Sequence, residues 1–125
     1  MYKAFNPNPV FRKTDDCVIR AICKAFDVDW LQSYDWITAE GRKRFDIPMA
    51  NHVWIRFLED NGFRMYAIPY TCPDCYSVRE FAADHPLGEY VVGDGNHVLV
   101  IHDGDWYDSW NSGDISPTFY LQREH

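Results

Sequence analysis

Apolar positions recur at a helical period through the first half of the chain and give way to short strand-like runs in the second half. Val18, Ala21, Ile22, Ala25 and Phe26 fall at i, i+3, i+4, i+7 and i+8, and this single apolar face predicts a helix over 16–27. Thr14, Asp15 and Asp16 precede it as N-capping residues. A second helix is expected from Asp29, with Trp30, Tyr34 and Ile37 on one side, fading near Gly41. A third is expected over 49–61, with Val53, Trp54, Phe57 and Leu58 inward. Pro48 marks its first turn and Asn61-Gly62 its stop.

The pattern then changes. Phe63 to Ile68 reads as a strand, and Ser77 caps a short helix ending near Asp84, before Pro86. Glu89 to Val92, His97 to His102, Trp106 to Trp110 and Thr118 to Gln122 read as further strands. Residues 1–13, with Asn and Pro at positions 6–9, read as irregular. Helices first and an antiparallel sheet afterwards define the α+β class. No repeat or linker interrupts the pattern, and 125 residues fit one domain spanning 1–125.

Composition narrows the function. Hydrophobic residues make up 46% of the chain and aromatics 17%, enough for a real core. The formal net charge of −7 argues against a nucleic-acid partner. The one basic run, Arg42-Lys43-Arg44, reads as a solvated helix end. No apolar run approaches the roughly 18 residues that span a bilayer. The stretch from Met1 to Asn6 lacks the apolar segment of an export signal. The expectation is a cytoplasmic protein with no membrane partner. In that setting Cys17, Cys23, Cys72 and Cys75 read as thiols rather than a disulfide framework.

Two of those thiols differ in placement. Cys23 lies well inside the first helix and reads as core. Cys17 lies in its first turn, behind three polar residues. There the helix dipole favours thiolate, and free backbone amides face any oxyanion formed beside the sulfur.

Asp103-Gly104 is a hairpin signal. A two-residue turn there sets His102 opposite Asp105, Leu99 opposite Asp108 and His97 opposite Trp110. His97 and Asp108 become diagonal neighbours, within reach of each other at about 7–8 Å between backbones. His102 points to the other face. A carboxylate on one ring nitrogen fixes the tautomer and supports the imidazolium, leaving the other nitrogen to take a proton from Cys17. Trp110 stands where it can keep water off that contact. Cys17, His97 and Asp108 are therefore the candidate catalytic residues.

These segments resemble papain-like cysteine peptidases. Asp16-Cys17-Val18-Ile19-Arg20-Ala21-Ile22 is similar to the Asp-Cys helix start of small members, including the bacteriocin-processing peptidases. It is more similar still to small phage and bacterial proteins with an Asp-Cys-Val-x-Arg-Ala helix. Asp108-Ser109-Trp110 resembles the Asn-Ser-Trp element of that superfamily, with Asp in the Asn position, and the order Cys, His, Asp agrees. The resemblance implies a papain-like fold with helices packed on an antiparallel sheet and the site in the cleft between. It implies Cys17 as nucleophile, His97 as acid and base, Asp108 as orienting residue and Trp110 as shield. The Cys17 amide becomes an oxyanion donor. The substrate is a peptide or protein, and no cofactor is called for. Six residues before the cysteine, where the family has Gln, this chain has Phe11. Asn8 and Thr14 are the substitute oxyanion donors, at other spacings. Losing such a donor costs about 10²–10³ in turnover.

Two other readings stay open. The missing Gln and the many aromatics fit a non-catalytic interaction module on the same fold. Cys72-Pro73-Asp74-Cys75 has the spacing of half a zinc site, with His52 or His85 as the residues to complete it, or of a redox pair. The leading reading of Cys72 and Cys75 is ordinary thiols in a turn-rich loop. The reading that gathers most residues is a thiol hydrolase acting on a peptide or isopeptide bond, with transferase and amidase chemistry undistinguished from it.

Overall fold

The structure, a computed structural model, describes residues 1–124. Among them, in chain order, are β1 (Tyr2–Ala4), α1 (Cys17–Phe26), α2 (Trp30–Lys43), α3 (Asn51–Asp60) and β2 (Phe63–Ala67). There follow α4 (Val78–Asp84), β3 (Glu89–Gly93), β4 (Val98–His102), β5 (Asp105–Asp108) and β6 (Phe119–Arg123). The six strands form one sheet in the order β1-β5-β4-β3-β6-β2. The class is α+β, as the pattern predicts.

Both faces of the sheet are covered, which explains the unbroken apolar run Val98-Leu99-Val100-Ile101 at its centre. Val98 and Val100 pack with Val91 and Leu121 against Ile22 of α1, Ile37 of α2 and Val53 and Leu58 of α3. Leu99 and Ile101 pack on the other side with Val92, Tyr90 and Trp106 against Val78, Phe81 and Ala82 of α4. Alternate side chains of one strand thus enter two different clusters. Burying them removes enough apolar surface to fix the register, since a one-residue slip exchanges the faces.

The Asp103-Gly104 turn forms as expected. Both residues take positive φ, 47° and 81°, and His102 pairs with Asp105, Ile101 with Trp106 and Val100 with Tyr107. The ladder stops there, so the expected Leu99–Asp108 and His97–Trp110 pairs lie beyond its end. His97 falls one residue before β4 rather than opening it, and β5 ends at Asp108, short of Trp110.

Three expectations need correction. The sheet is mixed, because β1 pairs parallel with β5 (Tyr2 with Trp106, Ala4 with Asp108). Residues 2–4 are a strand although they were expected to be irregular. Three residues, mostly exposed, on a sheet edge carry no alternation to read. The helix over 49–61 begins only at Asn51, with Ala50 as its N-cap. The cap signals of α2 and α4 hold. Asp29 caps α2 by accepting from the Gln32 amide at 2.8 Å. Ser77 and Glu80 form a reciprocal capping box on α4. No helix among the described residues is long and apolar enough to cross a membrane.

Candidate active site

The first turn of α1 meets the β3–β4 turn and the end of β5 around a cleft of about 680 Å³. Cys17 and Thr14 line one wall, Asn51 and Trp54 of α3 another, and Asn96, His97, Ser109 and Trp110 the third. Cys17 is half-buried and free, whereas Cys23 is buried in the core, and burial pushes its thiol up to about 11.

The β3–β4 turn presents His97. Asp94 Oδ1 accepts from the amides of Asn96 and His97, both at 2.8 Å, and Asn51 Nδ2 donates to the Gly95 carbonyl at 3.0 Å. The turn is therefore tied both to itself and to the start of α3. The ring then reaches Asp108: His97 Nε2 lies 2.5 Å from Asp108 Oδ2. That contact leaves the other nitrogen, Nδ1, unengaged by Asp108. Burial disfavours the charged ring, but the hydrogen bond to Asp108 and that residue's negative charge, aided by the nearby Cys17, outweigh it. The His97 pKa rises from 6.5 to about 9.

Asp108 is fully buried and fully occupied. Its Oδ2 also accepts from Ser112 Oγ at 2.7 Å, and its Oδ1 accepts from Arg20 at 3.0 Å and from the Ser109 amide at 2.8 Å. Burial pushes its carboxyl up. The His97 and Ser112 hydrogen bonds, followed by the charges of His97 and Arg20, hold it below the ordinary carboxylate range instead.

The predicted residues divide cleanly. Cys17, His97 and Asp108 come together. Trp110 stands beside His97, ring centroids 5.1 Å apart, yet is 49% exposed, so it flanks the ring without being enclosed. Thr14 lines the cleft. Asn8 does not: it is buried in the preceding loop, where its Oδ1 accepts from the Val10 and Arg12 amides at 3.0 and 3.2 Å. Organising that loop, it is removed from the oxyanion candidates. Phe11, at the family's Gln position, is 78% exposed with φ 55°. None of Thr14, Asp15 and Asp16 caps α1 through its side chain.

Cys72 and Cys75 are joined in a disulfide, which corrects their reading as loop thiols. Their expected metal partners lie elsewhere: His52 Nε2 contacts Asp46 at 2.5 Å and His85 stacks on Phe81 at 3.9 Å. Among the described residues no group of three or more His, Cys, Asp or Glu is arranged to hold a metal ion.

Arg20, Ser112 and Trp30 are the residues that sequence reasoning missed. Arg20 is 5% exposed and pairs with Asp16 as well as Asp108. Trp30 Nε1 donates to the second oxygen of Asp16 at 2.9 Å. A signal existed for Arg20. It is the one charge within the apolar run Val18 to Cys23, four residues after an Asp, and a buried charge requires a partner. Ser112 had none, because its loop carries no periodicity. Compared with protein-family models, with curated proteins and with solved structures, the chain has no significant match.

Proposed function

We propose that the protein is a papain-like thiol hydrolase that cleaves a peptide or isopeptide bond. The observation that carries this reading is His97, braced at Nε2 by the buried Asp108, lining the same cleft as a free cysteine in the first turn of a helix. Nothing in the packing of a core requires that set. Replaced together by apolar side chains, a buried charged set costs a core little, so stability alone does not account for this one.

The chemistry follows from the arrangement. His97 takes the Cys17 proton at Nδ1, and the resulting imidazolium is stabilised by Asp108. The sulfur attacks the carbonyl carbon, and the oxyanion is received by the Cys17 amide and the neighbouring first-turn N–H groups. The C–N bond breaks as His97 returns its proton to the leaving amine. Water then enters, gives a proton to His97 and attacks the thioester. The C–S bond breaks, and the carboxylic acid leaves with the thiol site restored. With Phe11 in place of a Gln, Thr14 is the side chain on the cleft wall available as an additional donor.

The test uses an uncleaved peptide library and a thiol-directed electrophile on wild type, Cys17→Ala and His97→Ala. Cleavage that disappears in both variants, with labelling confined to Cys17, is the expected result. Labelling at Cys23 alone, with no cleavage, removes the hydrolase reading. The exposed Trp110 on the cleft favours one second reading, an interaction module that holds a peptide without turnover. Stable capture of intact peptides by wild type and Cys17→Ala alike distinguishes it.

A further inference from the structure

Asp16 and Asp29 occupy the same position, the N-cap, at the starts of α1 and α2. Asp29 does what an aspartate there ordinarily does: its backbone is extended (φ −76°, ψ 170°) and its carboxylate accepts from an amide of the first turn. Asp16 does not. Its backbone is compact (φ −108°, ψ 27°) and no side chain caps α1. Both carboxylate oxygens are engaged elsewhere, Oδ1 by the Arg20 guanidinium and Oδ2 by Trp30 Nε1 at 2.9 Å. The group is only 3% exposed, so it is held there and not merely turned to solvent.

We propose that Arg20 and Trp30 are positioning residues that hold the Asp16 carboxylate off the amides at the start of α1, keeping those amides and the helix dipole for Cys17. The proposal rests on Cys17 being the reactive thiol. A carboxylate in the ordinary N-cap position would occupy an N–H of the first turn and set a negative charge beside the sulfur. Both effects oppose a thiolate and an oxyanion. Arg20 neutralises that charge and, through its other nitrogen at 3.0 Å from Asp108 Oδ1, ties the cysteine helix to the carboxylate that holds His97. The remaining charged groups around Cys17 are His97 from the β3–β4 turn, Asp108 behind it, and Lys13 and Asp15 on the cleft wall. The residues contributed by α3, Asn51 and Trp54, are neutral.

The experiment is the rate of Cys17 alkylation by iodoacetamide between pH 5 and 9, read by peptide mass spectrometry, in wild type, Asp16→Asn, Trp30→Phe, Arg20→Met, Arg20→Met/Asp16→Asn and His97→Ala. Arg20→Met frees an unpaired carboxylate beside the sulfur, and the profile moves to higher pH, slowing alkylation near pH 6.5 by about tenfold. Trp30→Phe, which removes one tether and no charge, moves it the same way by less. Asp16→Asn moves it to lower pH, and it does so in the Arg20→Met background as well, where a purely structural loss would gain nothing from a second substitution. If Arg20→Met does not fold, Trp30→Phe and Asp16→Asn decide. Profiles of Asp16→Asn and Trp30→Phe that superimpose on wild type while His97→Ala shifts overturn the proposal alone. A profile indifferent to His97 overturns the reading beneath it.

Discussion

Replacing Asp108 by Asn removes one charge from a fully buried position and keeps a side chain of the same shape. In the wild type, burial opposes the His97 imidazolium, and the hydrogen bond to Asp108, aided by Cys17, lifts the ring from 6.5 to about 9. At roughly 1.4 kcal/mol per unit this corresponds to about 3 kcal/mol in favour of the charged ring in the folded protein. The folded value lies above the unfolded one. The contribution is therefore complete below about pH 6.5 and is lost as pH rises through about 9. Asp108 runs the opposite way. Its depressed carboxyl contributes above its ordinary 3.8 and loses that contribution as pH falls. In Asp108→Asn the burial remains and the charge does not, so His97 should titrate about one to two units lower. The assay is NMR titration of the imidazole Cε1–H resonances from pH 5 to 10, with His97→Gln to assign the signal among the five histidines. Denaturant unfolding at pH 6 and pH 10 complements it: the wild type loses more stability between them than the variant does. A His97 resonance that titrates at the same pH in both proteins refutes the reasoning, because the brace on the ring would then be something other than Asp108.

Other outcomes follow from the same contacts. Ser112→Ala deletes the 2.7 Å hydrogen bond to Asp108, and a loss of about 1–2 kcal/mol by denaturant unfolding is expected. Ile37→Ala empties a site with no solvent exposure between α2 and its neighbours; a cost of about 2–5 kcal/mol, with Cys17 alkylation unchanged in the folded protein, separates core from cleft. Reducing the Cys72–Cys75 disulfide opens a ring that closes over three residues of separation, so a loss of only about 1–2 kcal/mol is expected. Neither cysteine lines the cleft. A Cys17 alkylation rate that falls on mild reduction of this disulfide and returns on reoxidation would contradict that independence.

Much of the fold was legible because periodicity reports burial. α1 carries its apolar face as predicted, α2 and α4 are announced by Asp29 and Ser77, and Asp103-Gly104 set the register of the central hairpin. What was not legible shares a cause. β1 is held by backbone pairing to β5 along an edge, which leaves no mark on side-chain pattern. The Cys72–Cys75 bond depends on loop conformation, and spacing alone left thiols, metal and disulfide open. Asn8 and Thr14 were nominated by composition and proximity in sequence. Only the loop's hydrogen bonds separate Asn8, turned inward to amides, from Thr14 on the cleft wall.

The three residues of the candidate site stand out in the sequence and the contacts that support them do not, and the division has a physical basis. Cys17, His97 and Asp108 are residue types whose chemistry is rare in a core, so each stands out singly. The support is a charge arrangement, and that is a property of the assembled set. Asp16, Arg20, Asp108 and a protonated His97 alternate in sign, and three of the four are 5% exposed or less. Such a chain is tolerable in a low-dielectric setting because each charge faces an opposite one, so removing any single member leaves another uncompensated. It also couples the two halves of the fold, since Asp16 and Arg20 belong to the helical side and Asp108 and His97 to the sheet. A displacement of α1 against the sheet would separate Cys17 from His97 only by breaking the Arg20–Asp108 pair at the same time. The geometry of the candidate site and the packing of α1 on the sheet therefore stand on one set of contacts. Substitutions in that set should alter thiol reactivity and stability together, whereas substitutions in the α4 cluster should alter stability alone.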